Sequence, residues 1–169
     1  MSTERPDDFM RIVCPQVLVF FALGPVVLNG QTASRDSSRV AVIHQLFAAM
    51  KASDTSATRA AFVANARIIN VPGGAASQSA GKGLTVDQFV AFVGKNPVGS
   101  WIERAWSPTE RVSGPIADLW FDYDVYRGST LDHCGVNAVQ LQETTEGWKI
   151  LTMSFTSVAN ACPAHAPPS

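Results

Sequence analysis

The sequence predicts an α+β domain, with helices early in the chain and antiparallel strands late. Three observations carry this. Apolar residues recur at helical spacing in stretches that end at Asn96-Pro97. From Trp101 onward the pattern alternates residue by residue. Turn sequences at Gly114-Pro115, Arg127-Gly128-Ser129 and Glu146-Gly147 then divide the alternating region into four runs. Helical stripes segregated from consecutive, tightly connected strands imply helices laid on one face of a curved, mostly antiparallel sheet.

Taken in order, Ser37 or Ser38 can cap a first helix that runs to about Ala52, with Val40, Ile43, Phe47 and Met50 on one stripe. Asp54 can cap a second helix from Thr55 to about Ala66, burying Ala61, Phe62 and Val63. Residues 67–71 are β-branched and short, so they predict a strand ended by Pro72-Gly73-Gly74. Residues 73–83 predict a loop. Gly81-Lys82 inside it is not a phosphate-binding loop, because Ala76 and Gly83 stand where that motif needs Gly and Ser or Thr. Thr85 and Gln88 have capping-box spacing and open a third helix with Val86, Phe89, Val90 and Val93 on one side. Four strands follow, over about 101–112, 116–127, 134–144 and 147–157.

Ahead of this domain, residues 12–28 carry no charge, follow Arg11 and lead into small and polar residues. That is the pattern of a secretory signal peptide, too short and too interrupted by Pro15, Gly24 and Pro25 for a membrane span. The expected organisation is a signal peptide over 1–33, one domain over 34–161 and a Pro-rich tail over 162–169, with Met10 an alternative start. An exported protein, periplasmic or secreted, follows, with no stable membrane span after processing. Cys14 is placed too early in the apolar run for a lipid anchor and would leave with the leader.

The mature chain then keeps Cys134 and Cys162. An oxidising compartment favours a disulfide between them, worth about 3 kcal/mol in the chain-entropy view. Formal net charge is −1, with lysine and arginine scattered. A nucleic-acid binder would show a basic face, and none is visible. His44, His133 and His165 lack ligand spacing, so no metal is expected, and no cofactor motif is present.

The order of elements resembles the NTF2-like superfamily, in its SnoaL-like branch. The resemblance is carried by the stretch from His44 to Gly74, by ADLWFDYDVYRGSTLDHCGVNAVQL (117–141), by GWKILTMSFTS (147–157) and by Cys162-Pro163. It implies a cone whose pocket lies between sheet and helices. It spans isomerases, cyclases, dehydratases, transport factors and proteins without assigned activity, so fold does not settle function. The steroid-isomerase branch needs a tyrosine, a general-base aspartate and a late acidic donor. Those positions fall on Leu46, Val71 and Asn137 or Ala138, and neither Leu46 nor Val71 can move a proton.

A non-catalytic module binding an unknown small apolar molecule is therefore expected, with Phe47, Trp101, Tyr123, His133 and Asn137 as candidate pocket residues. The alternative is a lyase, isomerase or cyclase acting on an apolar carbonyl compound, with His133 as acid or base and Asp132 as its orienting partner. Cys134 as a nucleophile is the weaker option beside the disulfide. On the strand over 116–127, Ala117, Leu119, Phe121, Tyr123 and Val125 should face the helices. Ile116, Asp118, Trp120, Asp122, Asp124 and Tyr126 should face outward. Trp120, with Trp106 or Trp101 as neighbour, suggests a homodimer through that face. Asp122 and Asp124 read as solubilising charges.

Overall fold

The computed structural model describes residues 35–72, 82–159 and 161–164. The expected signal peptide, most of the loop after Pro72, and His165 with the last tail residues lie outside the described residues. The element order is α1 (Arg35–Lys51), α2 (Thr55–Ala60), β1 (Phe62–Pro72), β2 (Lys82–Thr85), α3 (Val86–Val93), β3 (Trp101–Ser113), β4 (Ile116–Arg127), β5 (Thr130–Thr144) and β6 (Gly147–Ser157). The strands form one sheet in the order β2-β1-β6-β5-β4-β3. Only the β1–β6 pair is parallel; the other neighbours are antiparallel.

Two helix starts follow from capping. Asp54 accepts from the amides of Ser56 and Ala57 at 3.0 and 2.9 Å and opens α2. Thr85 and Gln88 exchange side-chain and backbone hydrogen bonds at the start of α3, the reciprocal pattern their spacing predicts.

Expectations about two of the elements need correction. The second helix does not continue to Ala66. It stops at Ala60, because Phe62 pairs with Ile150 and buries against Phe89, with ring centroids 5.7 Å apart. The Ile150 amide donates to the Ala61 carbonyl at 2.8 Å. Residues 62–66 thus gain more as the head of β1 than as a further helical turn. The second correction is β2, which adds a short strand antiparallel to β1 where the sequence reads as loop.

The helices cover one sheet face. Ala117, Leu119, Phe121, Tyr123 and Val125 of β4 are all buried there, against Ile43, Leu46, Phe47 and Met50 of α1 and Phe89, Val90 and Val93 of α3. On the other face Asp118, Trp120 and Asp122 are exposed, as the alternation predicts. Asp124 is not a solubilising charge. It is 2% exposed and accepts from Arg104 Nε and Nη2 at 2.8 and 2.7 Å and from Trp106 Nε1 at 3.1 Å. A second guanidinium, Arg39, ties α1 to β3 through a two-pronged pair with Glu110 and lies over the Trp148 ring at 5.3 Å.

Two local features shape the sheet. In β3 a bulge lies between the pairs Trp106–Asp122 and Thr109–Trp120, with Ser107 at φ 49°. In β5, Gly135 is opposite Tyr123. A Cβ there would meet the Thr156 carbonyl oxygen at 2.0 Å. That carbonyl accepts from the Tyr123 hydroxyl at 2.7 Å. The missing side chain thus makes room for the Thr156 carbonyl that holds Tyr123 across the strands.

Cys134 and Cys162 form a disulfide with Cα atoms 5.6 Å apart, closing a separation of 28 residues. It extends β5–β6 contact by one bridge, Cys134 to Val158.

Replacing Gly135 with alanine should lower stability by about 1–3 kcal/mol, because a backbone carbonyl and not a flexible side chain must yield. Urea unfolding measures this, and an unchanged midpoint would contradict the tight approach.

Candidate functional site

The sheet and helices leave a cavity of about 350 Å³. Met50 from the end of α1, Phe89 and Phe92 from α3, Ile68 from β1 and Met153 and Phe155 from β6 form apolar walls. β3, β4 and β5 add Trp101, Glu103, Tyr123 and His133. Leu84, Phe92 and Asn70 reach the surface, so the mouth opens beside β2 and α3.

Strand register explains the polar set. Glu103 pairs with Val125, and Val125 pairs with His133 on the far side, so both polar residues flank one fully buried valine on the helix-facing side. The Glu103 carboxylate accepts from Asn137 Nδ2 at 3.3 Å. The Trp101 indole N–H also lies close enough to favour its charge, although it reaches no partner at full hydrogen-bond geometry. Burial outweighs both and pushes the Glu103 carboxyl up to about 7, with the charge on Asp124 adding a smaller upward push. Tyr123 is also raised, first by burial and then by Glu103.

His133 Nδ1 lies 2.6 Å from Asp132 Oδ2. With a hydrogen on Nδ1, Nε2 is left as the free base of the ring. Asp132 also lies 3.7 Å from Arg127 Nε. Arg127 in turn stacks over Trp101 at 4.1 Å from the ring centroid.

Of the pocket residues expected from sequence, Trp101, Tyr123 and His133 line the cavity. Asn137 stands behind Glu103, with no surface exposed. Phe47 does not line it; its ring packs edge-on against Phe121 at 6.3 Å, inside the α1–β4 core. Trp101 cannot neighbour Trp120, because it faces the cavity while Trp120 is 58% exposed on the opposite face. Cys134 is held in the disulfide, which removes the thiolate nucleophile. At the positions of the isomerase motif, Leu46 is buried in the core and Val71 lies on the surface. Glu103 was not among the sequence candidates. Its signal is the alternation itself: Trp101, Glu103 and Ala105 share one face of a strand, and Glu103 is the charge on it.

No family model matches the chain, and no curated protein matches it. Solved structures do. The chain is similar to an NTF2-like protein with a cystatin-like fold from Novosphingobium aromaticivorans, at 13% identity and TM-score 0.62 over 75% of this chain and 84% of that one. An NTF2-like protein of unknown function from Pseudomonas putida aligns at 14% identity and TM-score 0.59, covering 78% and 98%. One from Cytophaga hutchinsonii aligns at 16% and 0.58, covering 74% and 98%. Identities this low speak for fold, and the chain has the NTF2-like fold, as the order of its elements implies.

The raised carboxyl has a stability consequence. Between its ordinary value of 4.5 and about 7, the folded protein holds a proton that the unfolded chain has lost. Stability from this group is full below 4.5 and falls as pH rises through 7, by on the order of 2–3 kcal/mol. Glu103→Gln should therefore match the native protein near pH 4.5 and exceed its unfolding free energy at pH 8.5. Equal stabilities at both pH values would contradict a carboxylate held in an apolar wall.

Proposed function

From the NTF2-like fold and its cavity, we propose that this chain binds a small, mainly apolar molecule with one polar end. The observation that carries this reading is the cavity itself: apolar side chains form most of its wall, and Trp101, Glu103, Tyr123 and His133 set polar atoms on the neighbouring strands β3, β4 and β5, with Asn70 of β1 and Ser157 of β6 the other polar residues of the lining. The volume of about 350 Å³ is in the range of small-ligand sites. We place the protein outside the cytoplasm. The Cys134–Cys162 disulfide supports an oxidising compartment. Among the described residues no helix is long and apolar enough to cross a membrane. Self-association through the outward sheet face is part of the proposal, supported by exposed Trp120 and Ile116.

A neutral probe such as 3-phenylpropanol should quench Trp101 emission as it enters. Met153→Trp, which fills the cavity, should weaken that binding about tenfold or more while the fold persists by circular dichroism. Equal binding by the filled variant would place the probe elsewhere and sink the proposal.

A second reading, acid–base catalysis on an apolar carbonyl compound, is favoured by the 2.6 Å contact of His133 with Asp132. That contact leaves a basic nitrogen on a residue of the cavity wall. The reaction would move a proton from the carbon beside the carbonyl to His133 and return it to the product. Deuterium uptake by 2-tetralone in heavy water, followed by NMR, checks it. The protein should accelerate uptake, and His133→Gln should lose about 100-fold or more of that acceleration. No acceleration above buffer would leave only the binding reading.

A further inference from the structure

The polar end of the cavity has an unusual balance of charge and hydrogen-bonding groups. Among the described residues its lining holds one carboxylate, Glu103, and no lysine or arginine. Asn137 has no exposed surface, spends its Nδ2 on Glu103, and leaves its Oδ1 without a partner. The Tyr123 hydroxyl hydrogen is committed to the Thr156 carbonyl. What remains beside Glu103 is one neutral donor without a partner, the Trp101 indole N–H, and no positive charge in the described lining.

The walls point the same way. Phe92 meets Trp101 at 5.2 Å, Trp101 meets His133 at 6.1 Å, His133 meets Tyr123 at 5.7 Å and Tyr123 meets Phe155 at 6.3 Å, all edge to face. These contacts make a continuous belt of rings across α3, β3, β5, β4 and β6, and Glu103 shares the cavity with it. Aromatic faces carry partial negative charge and attract a cation most strongly where water is excluded.

We propose that the cavity takes an apolar amine, with its protonated nitrogen seated between the Glu103 carboxylate and the aromatic belt. An ammonium group brings up to three donors together with a positive charge, and no side chain of the described lining supplies that charge to Glu103. Its charge offsets the cost of keeping Glu103 ionised away from water. An acidic ligand would oppose Glu103 directly. A neutral carbonyl compound could accept from the Trp101 indole N–H but would leave the carboxylate uncompensated. The inference rests on the reading of the cavity as a ligand site and specifies what that site selects.

The test compares two matched probes on the intact protein at pH 8 by titration calorimetry: 3-phenylpropylamine and 3-phenylpropanol. The amine should bind at least about tenfold more tightly than the alcohol, since it alone forms a charged contact shielded from water. In Glu103→Gln the amine should lose its advantage over the alcohol, while the far-ultraviolet circular dichroism stays that of the native fold. Equal affinities in the native protein, or a tighter alcohol, would overturn the amine assignment and leave the ligand-site reading standing. Preference surviving in Glu103→Gln would overturn the role of the carboxylate. Binding of neither probe would overturn the ligand site together with its selectivity.

Discussion

Packing of the inward face of β4 against α1 sets the positions of everything else. Leu119, Phe121 and Val125 are almost completely buried, and Phe121 meets Phe47 of α1 edge to face. β4 occupies an interior place in the sheet, so its register with β3 and β5 determines which of their residues turn inward. The apolar stripe of α1 ends at Met50, and Trp101, Tyr123 and His133 lie where that cover runs out. The cavity is thus the place where a finite helix no longer fills the space over a longer sheet. Burial builds the domain, and the end of that burial leaves the site.

Glu103 sets a cost within this arrangement. An inward apolar residue at its position would pack without a desolvation penalty. The chain instead holds a carboxyl there, supported by one amide hydrogen bond and an indole N–H that does not close on it. Strain of this kind concentrates at functional sites, because a group useful to a ligand is one the empty fold leaves incompletely satisfied. The contrast with Asp124 is informative. Asp124 is buried on the other sheet face, yet Arg104 and Trp106 complete its hydrogen bonding. One carboxylate is structural and saturated; the other is left with capacity to spare.

Much of the fold is legible in the sequence because it is written locally. The capping box of Thr85 and Gln88, the alternation along β4 and the turns between the last strands each depend on neighbours in the chain. The Cys134–Cys162 link is legible from parity and element order. Ala61-Phe62-Val63 misleads because a short apolar run suits a helix and a strand equally, and only its distant partner Ile150 decides. Residues 82–85 carry a glycine and no apolar alternation, so their pairing with β1 has no local sign. At the site, Tyr123 and His133 stand out as chemically able residues on predicted strands. Glu103 does not, since a lone acid in a strand usually faces water. Its role needs the cavity, which is a property of the assembled layers.

The bulge in β3 has a consequence for behaviour at high concentration. β3 is an edge strand of 13 residues, bonded on one side to β4. Long flat edges recruit other chains by continuing the sheet, which is the first step toward fibres. Here Ser107 is turned into a left-handed conformation and Pro108 has no N–H to offer, midway along the strand. A visiting strand would find its ladder of hydrogen bonds interrupted after a few residues. Crowded copies of this protein are therefore steered away from edge-to-edge polymerisation, and the safeguard lies in the backbone of the same strand that supplies Glu103.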